Sequence, residues 1–134
     1  MEYKYAFEKL EVWQNARSLV VDIYRITETF PDKERFGLTN QITIAAVSVS
    51  ANLAEGITRI STKEQAHFTS IAYGSLIELL GHSILSCDLS YVDHQQLIEL
   101  RAKIQPLSVK INTLRTKQLS FVSKLKTIIA TLIL

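Results

Sequence analysis

A chain of 134 residues with 47% apolar side chains, two prolines and four glycines has enough apolar surface for one genuine core, which excludes a disordered or linker-rich protein. The single cysteine, Cys87, cannot close an intrachain disulfide, and the longest apolar runs fall far short of the ~20 residues that span a bilayer. Net charge is only +2, but residues 94–134 carry seven basic side chains against Glu99 alone, whereas residues 38–93 carry two against five acids.

With no apolar signal core in MEYKYAFEKLE, these features lead us to expect one cytoplasmic domain over residues 1–134. The charge asymmetry suggests an anionic partner for the C-terminal part. The alternative is a solvated helix face that offsets acidic neighbours.

Four helical patterns follow in order. Val12, Ala16, Leu19, Ile23 and Ile26 form one apolar stripe, predicting a helix over about 8–29 that stops before Pro31. The second, about 38–56, places Ile42, Ala46, Val49 and Leu53 on one face and ends at Gly56, read as a C-terminal glycine. The third, about 62–89, opens on STKEQ, where Ser61 and Glu64 have capping-box spacing. SYVD closes it, and Asp93 is a good N-cap for the fourth, about 94–115.

That last pattern is a heptad repeat. Leu97, Leu100, Ile104, Leu107, Ile111 and Leu114 alternate by three and four, Gln118 interrupts, and Phe121, Leu125, Ile128 and Leu132 resume it. A single helix from 94 to 132 would be about 58 Å long, twice the second. Either the chain breaks near Arg115–Leu119 or the tail, 116–134, projects and needs a partner. Pro106 should kink the run. The expected fold class is all-α, an up-down antiparallel four-helix bundle with an additional C-terminal helical tail.

The second helix holds the anomaly, because Ile44, Val47, Ala51 and Ala54 make its opposite side apolar too. A helix apolar all round is a buried one, so a subunit interface is the economical explanation. Beside the core face, Gln41, Ser48, Asn52 and Glu55 form a narrow polar stripe that Glu78 and His82 of the third helix could join. A carboxylate pair doing acid–base work is one reading of it. The reading preferred here is a structural hydrogen-bond network, since no nucleophile–base pair accompanies it, and the chain is expected to be no enzyme.

His67, His82, His94 and Cys87 lack metal-ligand spacing, and the glycines form no phosphate loop, so no metal or cofactor is expected. Nucleic-acid contact has Arg59, Lys63, Arg101, Lys103, Lys110, Arg115, Lys117, Lys124 and Lys126 as candidates, a permissive signal because phosphate binding needs only clustered cations.

FEKLEVWQNARSLVVDIYRITETFPDKERFGLTNQI, AAVSVSANLAEGITR and FTSIAYGSLIEL resemble the four-helix-bundle family of 23S rRNA intervening-sequence proteins over about residues 7–92. The motifs L-x-V-W-Q, F-P-x-x-E-x-F-G-L, N-x-A-E-G and A-x-G-S-x-x-E carry the resemblance. It implies a bacterial or archaeal homopentameric ring of no established activity. The related accessory variability determinant proteins of diversity-generating retroelements add RNA or DNA and a reverse transcriptase as implied partners. Thr43 and Ile44 stand where relatives carry a basic pair, and Ser50 where they have proline. The functional expectation is a non-enzymatic oligomeric scaffold or adaptor with a basic nucleic-acid surface. Its alternative is an interaction module whose heptad tail captures a partner helix without nucleic acid.

Overall fold

The computed structural model describes residues 1–133, and the expected tail's last residue, Leu134, lies outside them. The described residues form four α-helices, α1 (Glu11–Thr27), α2 (Leu38–Thr58), α3 (Thr62–Asp88) and α4 (His94–Ile133), with single 3-10 turns at Ala6–Lys9 and Asp32–Glu34. The connections are too short for parallel neighbours, so the helices run up and down around one core. The fold is the expected all-α four-helix bundle.

The core follows from the periodicity. Ile23 of α1, Ile42 and Leu53 of α2, Leu76 and Leu79 of α3, and Ile104, Leu107 and Ile111 of α4 are fully buried. Each of these side chains contributes about 1.5–3 kcal/mol of transfer free energy. At the upper end Phe30 is buried against the ring of Tyr91 with centroids 5.3 Å apart, and Val92 closes the same corner. Ser90 turns the chain there in the left-handed region at φ 63°.

Ser61 and Asp93 both cap their helices, Ser61 with one half of the expected box and Asp93 with a full reciprocal pair. Ser61 Oγ accepts from the Glu64 N–H at 3.4 Å. Asp93 and Gln96 exchange reciprocal bonds of 2.7 and 2.8 Å between side chain and backbone N–H.

One expectation is corrected. Gly56 does not end α2, which continues to Thr58. Its lack of a side chain instead lets α2 approach α3: a Cβ at Gly56 would stand 3.0 Å from Phe68 Cβ and 3.3 Å from the Gln65 carbonyl oxygen. Of the two alternatives for the tail, a break near Arg115–Leu119 or a projecting helix, the second holds. α4 is one helix of 40 residues that passes through Pro106, whose ring lies on the exposed side. It is about 60 Å long beside an α3 of about 40 Å, so it overshoots the bundle by about 20 Å.

Candidate functional site

The polar residues grouped on α2 and α3 by sequence are held in separate places. Ser48 and Ser75 share a hydroxyl bond of 2.8 Å between α2 and α3, and Asn52 Nδ2 donates to the Ser48 carbonyl at 2.8 Å and to its Oγ at 3.0 Å. Asn52 thus pins a small helix-to-helix bridge in which Ser75, unnoticed in the sequence, is the partner.

Glu55 takes no part in it. Its carboxylate pairs with the Arg59 guanidinium one turn later, which lies 4.7 Å over the ring of Phe68. Glu78 meets His82 Nε2 at 3.2 Å on the exposed side of α3, and Gln41 is exposed. Glu55 lies at the level of Phe68, and Glu78 is about 15 Å farther along α3. The two carboxylates therefore do not share a cleft.

His67 and His94 are exposed, and Cys87 is half-buried. Among the described residues no three His, Cys, Asp or Glu side chains gather closely enough to hold a metal ion.

The nine candidate cations divide into two groups. Lys103 is bonded to Asp22, and Lys110 donates to Glu11 Oε1 at 2.5 Å and to Asn15 Oδ1 at 2.8 Å, tying α4 to α1. Hydrogen bonding from Lys110, and then its charge, hold the Glu11 carboxyl below the usual carboxylate range. Arg115 donates to Asn112 Oδ1 at 2.6 Å and stacks 4.4 Å over Tyr73, while Arg59 is held as described. These four offset or stack on the chain's own groups. Lys63, Arg101, Lys117, Lys124 and Lys126 are exposed and make no ion pair among the described residues.

The interface candidates are largely at the surface. Ile44 is 55% and Val47 41% exposed, Ala51 is exposed and Ala54 is half-buried. Tyr24 of α1 joins Ile44 and Val47 around a shallow groove with Asn40, Thr43 and Ser48. Thr43 Oγ1 donates to the Thr39 carbonyl at 2.8 Å, so its hydroxyl is satisfied within its own helix.

Sequence reasoning missed two further surfaces. On α3, Gly74 and Gly81 lie where an added Cβ would meet nothing within 4 Å, beside exposed Ile71 and Ile77. Two glycines seven apart in a helix interior were the available signal. At the N-terminus, Tyr3 and Tyr5 are exposed and stack edge-to-face at 5.1 Å, followed by Phe7 against Trp13 at 5.0 Å. The alternation of aromatics in this segment was the clue.

The last surface is the overshooting end of α4. Leu97 to Ile111 of its seam are buried, and Gln118 is the last buried residue at 8%. Beyond it Phe121, Leu125, Ile128 and Leu132 continue the seam exposed.

The model of the 23S rRNA-intervening sequence protein family matches residues 8–113. A crystal structure of a protein of unknown function from the S23 ribosomal protein family of Bacteroides thetaiotaomicron is similar at a TM-score of 0.72 and 16% identity, covering 78% of this chain and 97% of that one. At that identity the likeness is one of fold. None of the curated proteins is significantly similar to the chain. The family match ends before the overshooting part of α4 begins.

Proposed function

We propose, for a chain that belongs to the 23S rRNA-intervening sequence protein family, a non-enzymatic scaffold that assembles with copies of itself through the outer face of α2. One observation carries the reading: α2 has no charged residue from Leu38 to Ala54, yet Ile44 and Val47 stand exposed in the middle of it. Contiguous exposed apolar surface of this kind marks a contact site rather than a solvated face.

Ile44→Glu with Val47→Glu is expected to give a folded monomer by light scattering, since neither residue belongs to the core. A monomeric parent protein at micromolar concentration sinks the proposal. The family resemblance implies five copies, which native mass spectrometry counts directly.

Phosphate contact is the weaker use of the molecule, because Arg59, Lys103, Lys110 and Arg115 are already paired or stacked. RNA binding that stays unchanged after Lys117→Glu, Lys124→Glu and Lys126→Glu would remove it altogether.

A second reading is favoured by the overshoot of α4: its exposed seam captures a helix of another protein. Removing residues 119–134 is then expected to abolish capture and leave the bundle folded.

A further inference from the structure

We infer that the overshooting end of α4 and the bundle end beneath it form a ledge for an acidic, apolar-faced helix. This rests on the second reading above and adds the chemistry of the partner.

The wall of the ledge is α4 itself. At about 100° per residue, Phe121, Leu125, Ile128, Ile129 and Leu132 fall within an arc about 100° wide. All five are between two-fifths and four-fifths exposed. Lys117 and Lys124 border the arc on one side and Lys126 lies on the other, while Ser120, Ser123, Thr127 and Thr131 occupy the opposite face. Thr127 and Thr131 turn their hydroxyls back to the Ser123 and Thr127 carbonyls at 3.2 and 3.0 Å, so that face is satisfied alone. The apolar arc is the side left without a partner.

The floor is the end of the bundle. α1 begins and α2 ends there, so the N-terminal segment and the α2–α3 connection lie at the end from which α4 emerges. Ile60 in that connection is 99% exposed, and Tyr3 and Tyr5 of the N-terminal segment are exposed at the same end of the bundle. That turn is fixed to α1, because Gln14 Nε2 donates to the Glu8 carbonyl at 2.9 Å.

Shape and charge select the occupant. The exposed seam continues the buried one, so it faces the same side as the core and looks out over the floor. A flat bilayer pressed against it would have to pass through the bundle end. A helix about 10 Å wide and about four turns long fits the height of about 20 Å.

Lys117, Lys124 and Lys126 border the arc with no acidic residue after Glu99. A second copy would bring lysine against lysine, which costs affinity, whereas Asp or Glu flanking the partner's apolar stripe complements them. The partner chemistry is therefore leucine-like side chains at heptad spacing with acidic flanks.

The test uses the full chain and two labelled helical peptides, each about four turns long, with leucine at the seam positions and either glutamate or lysine at the flanks. Fluorescence anisotropy is expected to show the glutamate peptide bound at least about tenfold more tightly. Lys117→Glu, Lys124→Glu and Lys126→Glu together should invert that preference, and Leu125→Ser with Leu132→Ser should abolish binding of both with the bundle melt unchanged.

Equal affinity for the two peptides overturns the acidic partner and leaves tail capture standing. Failure to bind either overturns both. Binding to phosphatidylserine vesicles, or self-association, that the leucine variant abolishes while peptides do not bind assigns the ledge to lipid or to a second copy and overturns the inference.

Discussion

The two ends of α4 carry the same sequence pattern and opposite environments. From Leu97 to Ile111 the three-four spacing packs against α3 and α1 and is buried, whereas from Phe121 to Leu132 it stands exposed. Periodicity alone therefore states which side chains share a face, not whether anything lies against that face. Helix length decides the matter here: α3 ends its cover about 20 Å before α4 stops. The point of change is Gln118, the one polar residue of the seam, which is buried with its side-chain oxygen lacking a protein donor.

The contrast predicts unequal responses to equal truncations. Ile104→Ala removes a fully enclosed side chain and is expected to cost about 2–5 kcal/mol in urea unfolding. Leu125→Ala, on the same seam, should stay within about 0.5 kcal/mol. Comparable losses at both sites would show the distal seam covered in solution and break the comparison.

Glycines sharpen it next. Gly56→Ala places a Cβ against Phe68 and should destabilise by about 1–3 kcal/mol. Gly74→Ala and Gly81→Ala, with open space around each, should each stabilise by about 0.5–1 kcal/mol, read as a higher Tm. Gln118→Leu should add about 1 kcal/mol by removing the buried acceptor without a protein donor.

The smallest effect is one of pH. The Glu11 carboxyl is depressed in the folded state by Lys110, so its contribution is present above the ordinary carboxylate value and fades as pH falls through the folded-state value. The stability difference between the parent and Lys110→Ala should therefore shrink on acidification. Both partners are largely at the surface, and salt should diminish that difference as well.

Much of the fold was legible because its determinants are local. Four apolar periods, the break at Phe30–Pro31 and the caps at Ser61 and Asp93 each lie within a few residues of what they control. The ion pairs Asp22–Lys103 and Glu11–Lys110 join residues on α1 and α4, distant in the chain, and no local pattern announces them. The polar stripe of α2 looks like a single network in the sequence because period places residues on a face without fixing depth. Depth put Ser48 against Ser75 and left Glu55 at the rim with Arg59. The continuity of α4 through residues 115–119 was equally ambiguous in one dimension, since either a turn or an extension satisfies the same spacing.

Gly56 has one more effect. It is the sole glycine of α2, and Phe68 of α3 sits in the notch it leaves. Sliding α3 by one turn would drive that bulky residue against a position bearing a Cβ, so the α2–α3 hairpin has a keyway with a single setting. The hydroxyl bridge between Ser48 and Ser75 falls into line only at that setting. Register between two smooth, small-residue helices is thus encoded by a missing atom rather than by an added contact.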